Sequence, residues 1–307
     1  MMDRRQFLQT SAVAASLASQ GQLEAQPMWG GPVLDIHLHF RPGADANFEH
    51  MQGCGVTKAV LLTRSADEEK TKVAIASHPD SYVRFAAADV TKPEGLVTLR
   101  KSIAGGAIGF GEIKYHLAVN SAEMQRLYEL AAELNVPVLI HFADVPQFEG
   151  EGTFTSPFNG LPAMLKAHPK TKFIGHADGF WANISADFAN DTPYPTGKVK
   201  PGGLTDKMLS DYPNLYGDLS ANSGRNAMTR DPEFIRGFLA RHQNKLMFGC
   251  DCSCTDGKGK NQGSKQPALL GKCVARETLT ALKLVTTPEI FRKLTWTNGT
   301  RLLNIKS

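Results

Sequence analysis

The sequence predicts an α/β protein of the (β/α)8 TIM-barrel class, with a metal site at the carboxyl ends of its strands. Three observations support this prediction. Eight short apolar runs recur along the chain, helical patterns separate many of them, and His, Asp or Glu side chains stand where five of the runs end. Parallel strands joined by crossover helices are the arrangement that such alternation indicates. In barrels of this class the reactive side chains gather at the carboxyl ends of the strands.

The eight predicted strands are runs of 7 to 9 residues, a usual length for strands. Several are apolar without alternation, as expected for parallel strands that are buried on both faces. In chain order they are 33–39, 56–63, 82–90, 107–114, 136–144, 172–178, 215–222 and 246–252.

Helices are predicted in many of the gaps between these strands. The clearest is 121–134, in which Met124, Leu127, Tyr128 and Ala131 follow one another at spacings of three and four. Further helices are predicted at 162–168, 206–212, 232–242, 277–284, 288–294 and 298–303. Residues 179–203 and 251–266 are too long for routine connections, so we expect them to form binding loops or a lid.

The composition fits a globular enzyme-sized protein and excludes several other classes. With 42% hydrophobic and 21% charged residues, the chain is predicted to form a single domain over residues 27–307. A net charge of +4 without a dense Lys/Arg block gives no indication of nucleic-acid binding. No apolar run approaches 20 residues, so no membrane association is expected after removal of a signal. The expected partner is a small-molecule substrate, and a homo-oligomer is possible.

The first 26 residues have the pattern of an export signal. The pair Arg4-Arg5 is followed by Phe7-Leu8 and then by a mildly apolar stretch at 11–19. This pattern resembles a twin-arginine signal and predicts a periplasmic or extracellular protein. The alternative is a terminal tail in which the arginine pair is incidental.

Four of the five cysteines lie close together in the sequence. Cys250, Cys252 and Cys254 occupy alternate positions, and Cys273 follows further along. Three interpretations remain open: a disulfide from Cys252 or Cys254 to Cys273, buried free thiols, or a thiolate metal site. Cys54 is expected in the core.

The residues at the strand ends predict one metal centre. His37 and His39 are separated by one residue, so they share a face of the first strand and can converge on one ion. The ends of later strands add Glu112, His141, His176 and Asp251. Each of these residues alone has an ordinary structural explanation, such as a helix cap, but their joint position at one rim favours a shared site. Asp35 either orients an imidazole or supports the barrel.

These residues resemble the metal-ligand pattern of the amidohydrolase superfamily, and the layout resembles its family 2. The resemblance runs from Asp35-Ile36-His37-Leu38-His39 to the closing segment 298–303. It implies that His37, His39, His141, His176 and Asp251 surround one or two divalent ions. Glu112 is placed like the bridging carboxylate of a binuclear subset similar to TatD-type deoxyribonucleases, while Lys114 is the candidate for a carboxylated lysine. Zinc is the first choice of metal, and manganese or iron also suits these ligands.

The predicted chemistry is attack of activated water on an electrophilic centre. Asp251 is expected to accept the water proton, and His176 to bind a second ion or to polarise the substrate oxygen. Lys114, His116, Trp181 and Arg225 are the candidate substrate-binding residues. For Arg225 the alternative is an ordinary surface or helix-start arginine, and for Trp181 it is packing of the loop.

The leading functional hypothesis is hydrolysis of a small carboxylic ester, lactone or amide. The alternatives are a non-oxidative metal-dependent decarboxylase, a TatD-like phosphodiesterase, and a barrel that binds metal without catalysis. The carboxylate at Glu112 argues against the single-metal decarboxylase, and the lack of a basic groove argues against the nuclease.

Overall fold

The computed structural model describes residues 27–264 and 266–306. Eight parallel strands form one sheet whose order follows the chain from the first strand to the eighth. The predicted (β/α)8 barrel is thereby confirmed. The strands are β1 (Leu34–His39), β2 (Lys58–Arg64), β3 (Tyr82–Ala87), β4 (Phe110–Ile113), β5 (Pro137–His141), β6 (Lys172–His176), β7 (Leu215–Asp218) and β8 (Leu246–Met247).

Hydrogen bonds between the first strand and the segment after the last one join the two ends of the sheet. The amide of Ile36 donates to the carbonyl of Phe248 at 3.1 Å, and the amide of Asp251 donates to the carbonyl of His37 at 2.8 Å. The sheet therefore forms a nearly closed barrel, in which the carboxyl ends of all eight strands meet at one rim.

Helices lie in the connections between the strands and after the last strand. They are α1 (Ala46–Cys54), α2 (Glu68–Ser77), α3 (Pro93–Ala104), α4 (Ala122–Glu133), α5 (Leu161–Ala167), α6 (Ala177–Ala182), α7 (Leu204–Asp211), α8 (Ala221–Thr229), α9 (Pro232–Arg241), α10 (Val274–Val285), α11 (Pro288–Arg292) and α12 (Asn298–Leu302). Short 3-10 helices occur at Ser65–Asp67, Phe158–Gly160 and Pro267–Leu269, and a π-helix at Lys293–Thr297 joins α11 to α12.

The apolar strands pack their side chains into a continuous core. Residues of six strands form one buried cluster with the end of the chain, and its members are Leu34, Ile36, Val60, Leu62, Phe85, Leu139, Ile174, Met247, Leu302 and Leu303. Gly299 allows α12 to approach β1, since a Cβ there would lie 2.7 Å from Leu34 Cδ2. The burial of apolar area in this core is the main source of stability for the scaffold that carries the rim.

All eight predicted strands contain an observed strand, but several extend beyond it, and the seventh and eighth extend furthest. Residues 219–222 do not continue β7, because the backbone of Ala221 turns to a φ of 62° and begins α8. Residues 248–252 lie beyond β8, and Asp251 has a φ of 47°. These left-handed turns direct the chain away from the sheet at the rim.

Five helices, α1, α2, α3, α6 and α8, were not indicated by the sequence pattern. The reason is clearest in α2, where the only buried residues are Thr71 and Ala74. A helix that buries so little apolar surface lacks the spacing on which such predictions depend. The long segment expected at 179–203 begins with the helix α6, and its irregular part is 183–203.

All the strands and helices given above belong to one compact unit that begins at Pro32. The predicted export signal at 1–26 lies outside the described residues. None of the helices in the described part of the chain has the length and hydropathy of a transmembrane span.

Candidate metal centre

The barrel brings the six predicted metal ligands to one rim. His39, His141 and His176 are the last residues of β1, β5 and β6, while Glu112 lies near the end of β4. His37 precedes His39 by two residues and therefore shares its face of β1. Asp251 follows β8 by four residues and is tied to β1 by its backbone bond to His37.

Glu112 lies at the centre of three imidazoles. Its Oε1 is 2.5 Å from Nδ1 of His141 and 3.4 Å from Nε2 of His176. Its Oε2 is 3.4 Å from Nε2 of His39. Gly111 permits this placement, because its φ is 146° and a Cβ there would come within 2.8 Å of Leu139 Cβ. The two oxygens of this carboxylate therefore face different imidazoles: Oε1 faces His141 and His176, and Oε2 faces His39.

Asp251 lies beside both histidines of β1. Its Oδ1 is 3.4 Å from Nε2 of His39 and 3.8 Å from Nε2 of His37. Its side chain is 30% exposed, whereas that of Glu112 is 8% exposed. The two carboxylates therefore differ in access to solvent as well as in their partners.

Asp218 at the end of β7 orients two of the imidazoles, and sequence reasoning missed it. Its Oδ2 is 2.7 Å from Nδ1 of His37 and 3.2 Å from Nδ1 of His176. Ser220 donates its hydroxyl to the same oxygen at 2.7 Å. Holding Nδ1 in this way leaves each Nε2 free to face a metal ion. The sequence signal was weak, because Asp218 lies in the middle of the predicted seventh strand, 215–222, and only the structure shows that the strand ends there.

Asp35 supports the backbone instead of an imidazole. Its Oδ1 accepts hydrogen bonds from the amides of His37 at 2.9 Å and Cys250 at 3.0 Å. These bonds connect β1 with the segment after β8. Burial raises the pKa of this carboxyl to about 6, although its hydrogen bonds and His50 oppose the shift.

The donor atoms fit a divalent ion. The Nε2 atoms of His37 and His141 are buried and have no hydrogen-bond partner among the described residues. Such atoms are costly to bury unless something binds them. Two groups at the rim, His37–His39–Glu112 and Glu112–His141–His176, have donor atoms within 4.8 Å of one another. Imidazole and carboxylate donors together suit zinc, manganese or iron.

Burial and the interactions between the carboxylates and the neighbouring imidazoles shift the pKa values of this centre. Burial by itself would raise the pKa of Glu112, but His141, His39 and His176 outweigh it and hold that pKa well below its usual value. The pKa of Asp218 is likewise lowered, since His37 and His176 outweigh its burial. Burial lowers the pKa of His141 to about 4, against the opposing effect of Glu112. The two carboxylates are therefore ionised at neutral pH, as metal binding requires.

Two alanines and Asp251 adopt left-handed backbone conformations next to the centre. Ala177 and Ala221 have φ values of 77° and 62°, and Asp251 has a φ of 47°. All three line a cavity of about 210 Å³, and the predicted ligands His39, Glu112, His141 and His176 line it as well. Residues other than glycine rarely adopt positive φ values. The backbone strain that such conformations cause is concentrated at functional sites.

The cavity adjoins two larger ones at the barrel mouth. A cavity of about 340 Å³ shares Gln147, Tyr194, Ala221 and Asp251 with it. A cavity of about 440 Å³ shares His39, Glu112 and Lys114. The 340 Å³ cavity therefore gives access to Asp251, and the 440 Å³ cavity gives access to Glu112.

The four predicted substrate-binding residues have different positions. Lys114 lines two of the cavities, and its ammonium lies 4.8 Å from the centre of the Phe154 ring. His116 stacks on the same ring at 4.1 Å and is exposed. It is not among the residues that line the described cavities.

Trp181 and Arg225 do not reach these cavities. Trp181 is 1% exposed and donates its indole N–H to the carbonyl of Asp218 at 2.8 Å. It therefore packs under the metal centre and supports the residue that orients the imidazoles. Arg225 lies in α8 and pairs with Glu277 at 3.6 Å. Trp181 thus has the packing position stated as its alternative, and Arg225 is a partly buried arginine in the middle of α8 and not a surface residue.

Comparison with known proteins identifies the family. The family model described as Amidohydrolase, that of amidohydrolase family 2, matches residues 35–305. This range contains all six predicted metal ligands. No curated protein matches the chain significantly.

Solved structures share the fold at low sequence identity. One, named as a probable 2-pyrone-4,6-dicarboxylic acid hydrolase from Acinetobacter baumannii with citric acid bound, has a TM-score of 0.57 and 14% identity, covering 90% of this chain and 100% of that one. A dihydroxybenzoic acid decarboxylase from Polaromonas sp. JS666 with bound manganese has a TM-score of 0.55 and 12% identity, covering 90% and 97%. A dihydroorotase from Campylobacter jejuni has a TM-score of 0.54 and 14% identity, covering 90% and 84%. The protein therefore belongs to the amidohydrolase family and is an enzyme of the amidohydrolase superfamily, whose members generally use a divalent metal ion.

Proposed function

We propose that the enzyme hydrolyses a small carboxylic ester, lactone or amide by a metal-dependent mechanism. The observation that supports this proposal best is the position of Glu112, a buried carboxylate between three imidazoles, with Asp251 on the adjoining side. A carboxylate in that position can bridge two ions. We therefore favour two divalent ions, with zinc as the first choice and manganese or iron as alternatives.

The residues of the rim have separate tasks in this proposal. A divalent ion held there supplies a water of lowered pKa and polarises a substrate oxygen. Asp251 accepts the proton of the attacking water and returns it to the leaving group, because it is the more exposed carboxylate and lines two cavities. Glu112 is held by three imidazoles and keeps the ligand role. His176, oriented by Asp218 and Ser220, presents Nε2 to the centre.

The basic residues at the mouth favour a substrate that carries a carboxylate. Arg64 at the end of β2 and Lys114 after β4 both line the 440 Å³ cavity, and both are exposed. Asp89 lies in the same wall, and the other carboxylate of this cavity, Glu112, is held by its three imidazoles. Because Arg225 is paired with Glu277, Lys114 and Arg64 are the better candidates for binding a substrate anion. Cavities of about 210 to 440 Å³ suit a small molecule.

A substrate panel tests the reaction class. Purified enzyme loaded with zinc or manganese is assayed on p-nitrophenyl esters, lactones and amides, with and without a second carboxylate. Aromatic acids test decarboxylation, and bis-p-nitrophenyl phosphate tests phosphodiester cleavage. We expect turnover of the first group, with a preference for substrates that carry a carboxylate, and its loss in Asp251→Asn. Release of carbon dioxide from aromatic acids without ester, lactone or amide turnover would replace the proposal by the decarboxylase.

Counting the ions tests the metal centre. Elemental mass spectrometry on protein purified without chelators, corrected for any ion held elsewhere by comparison with His37→Ala/His39→Ala, is expected to give two ions per chain at the rim. One ion would remove Glu112 from the bridging role and favour a single-metal reaction.

We also propose that the segment 1–26 exports the folded protein by the twin-arginine route. Replacing Arg4 and Arg5 by lysine should keep the protein in the cytoplasm, as measured by cell fractionation. Unchanged export in that variant would refute export by the twin-arginine route.

A further inference from the structure

Three cysteines and a histidine form a second cluster of metal-ligand side chains, outside the rim. Cys252 and Cys254 follow Asp251, Cys273 precedes α10, and His50 belongs to α1. All four residues are buried, and one donor atom from each lies within 4.8 Å of the others. None of these residues belongs to the ligand set of the rim.

The distances within the cluster are close to those of a tetrahedral site. Zinc–sulfur bonds of about 2.3 Å place two ligand sulfurs about 3.8 Å apart, and a zinc–nitrogen bond of about 2.0 Å places sulfur and nitrogen about 3.5 Å apart. The Sγ of Cys252 lies 3.8 Å from that of Cys273 and 3.3 Å from that of Cys254. The Sγ of Cys254 lies 3.5 Å from Nδ1 of His50. A single ion can therefore bind all four donors after small shifts.

Neighbouring groups support a thiolate at Cys252. Its sulfur accepts hydrogen bonds from the side-chain amide of Gln262 at 3.2 Å and from the backbone amide of Val274 at 3.3 Å. N–H donors aimed at a buried sulfur stabilise its ionised form, and bonds of this kind commonly surround metal-bound thiolates. A buried thiol that only filled space would not require them.

His50 can provide the fourth donor through Nδ1. In the structure this nitrogen is 2.9 Å from the carbonyl of Cys254, and Nε2 is 3.9 Å from the sulfur of Cys250. Metal binding at Nδ1 requires its proton to reside on Nε2, where the sulfur of Cys250 lies beside it. The carbonyl of Cys254 must then turn away from Nδ1, which is a small local change.

We propose that His50, Cys252, Cys254 and Cys273 form a closed structural site for one zinc-like divalent ion. Each thiol releases its proton to solvent as the ion binds. Four protein ligands leave no position for water or substrate, in contrast to the open centre at the rim. The barrel thus holds a soft sulfur-rich site next to a harder site of imidazoles and carboxylates.

The site fixes the loop that forms one wall of the substrate cavity. The loop begins after Asp251 and ends at Cys273, and the ion joins its two ends to each other and to α1. Its residues Ser253, Gln262, Ser264 and Gln266 line the 340 Å³ cavity. The ion therefore holds this wall and the backbone next to Asp251 in place.

Metal content of variants provides the first test. The full-length chain, Cys252→Ser/Cys273→Ser and the control Cys54→Ser are purified from medium supplied with zinc, and zinc per chain is measured by elemental mass spectrometry. Cys54 is a stringent control, because its thiol is buried beside Cys273 and donates to the carbonyl of Met51 at 3.5 Å, yet it does not belong to the ligand group. We expect one fewer ion in the double variant and no change in the control. Equal zinc in the double variant and the wild type would overturn the proposal, and so would loss of the ion in the control.

A spectroscopic test does not depend on the stability of the cysteine variants. In the His37→Ala/His39→Ala background, which lacks ligands of the rim, zinc X-ray absorption is expected to show three sulfurs at about 2.3 Å and one nitrogen at about 2.0–2.1 Å. Only nitrogen and oxygen neighbours would overturn this proposal and leave the proposed hydrolase intact.

Alkylation separates the metal site from a disulfide. The wild-type protein is unfolded in chelator without reductant, alkylated and weighed by mass spectrometry. We expect all five cysteines to be modified. Modification of only three would show a disulfide in place of the metal site and overturn the proposal.

Discussion

Asp218→Asn tests how the centre is oriented. The substitution keeps the size of a fully buried side chain and removes its charge. The lost carboxylate lies 2.7 Å from Nδ1 of His37 and 3.2 Å from Nδ1 of His176. An amide offers one acceptor oxygen and one N–H₂ donor, so it can satisfy one Nδ1–H but not the full set of donors around Asp218.

The magnitude follows from the two imidazoles that depend on this residue. Loss of a group that orients a metal-bound imidazole typically weakens metal binding about 10- to 100-fold. We expect at least that loss for Asp218→Asn, or about 1.4 to 2.7 kcal/mol in binding free energy. The loss of orientation at His37 and the loss at His176 both arise from the same oxygen, Oδ2 of Asp218, so their free-energy costs are not expected to add in full.

The assay is competition with a chromophoric chelator for zinc or manganese, in the Cys252→Ser/Cys273→Ser background so that only the rim is titrated. Asp206→Asn is the matched control, because Asp206 is also a buried carboxylate bound to a histidine, His242, at 2.6 Å but lies away from the rim. Thermal unfolding of both variants checks that the fold persists. Wild-type metal affinity in a folded Asp218→Asn protein would refute the orienting role.

Three further predictions concern the ligands, the proton acceptor and stability. His37→Ala/His39→Ala should purify without rim metal, and elemental analysis equal to wild type would contradict the ligand assignment. Asp251→Asn should keep its metal but lose turnover by about 10²–10⁴-fold, and undiminished kcat would exclude Asp251 as the proton acceptor. His242 and Arg241 outweigh burial and lower the folded-state pKa of Asp206 below 3.8, so this group contributes stability above that value and loses it as the pH falls further. Between pH 5 and pH 3, denaturant unfolding should therefore show a smaller loss of stability in Asp206→Asn than in wild type, and equal losses would contradict the ion pair.

The residues of the rim could be predicted because the evidence for them is local. The spacing of His37 and His39 places them on one strand face wherever that strand lies. Strand ends can be recognised from apolar runs, so His141 and His176 could be assigned to the same edge of a parallel barrel. The barrel fold then brings these residues together, although they are far apart in the chain.

The role of Asp218 depends on tertiary structure. Its partner His37 lies 181 residues earlier, and no short pattern links the two. Trp181 illustrates the same limit, since a tryptophan in a predicted loop can face the pocket or the core. Only packing decided that it lies beneath Asp218.

The sequence by itself determined the barrel, its strand order and the placing of six predicted ligand side chains at the strand ends, because periodicity and strand ends are properties of short segments. Tertiary structure decided which side chains meet across those segments. The pair His50 and Cys254 is separated by 204 residues, yet their donor atoms lie 3.5 Å apart. Three interpretations of the cysteines were open in the sequence because a contact of this kind depends on how the loop after β8 folds against α1.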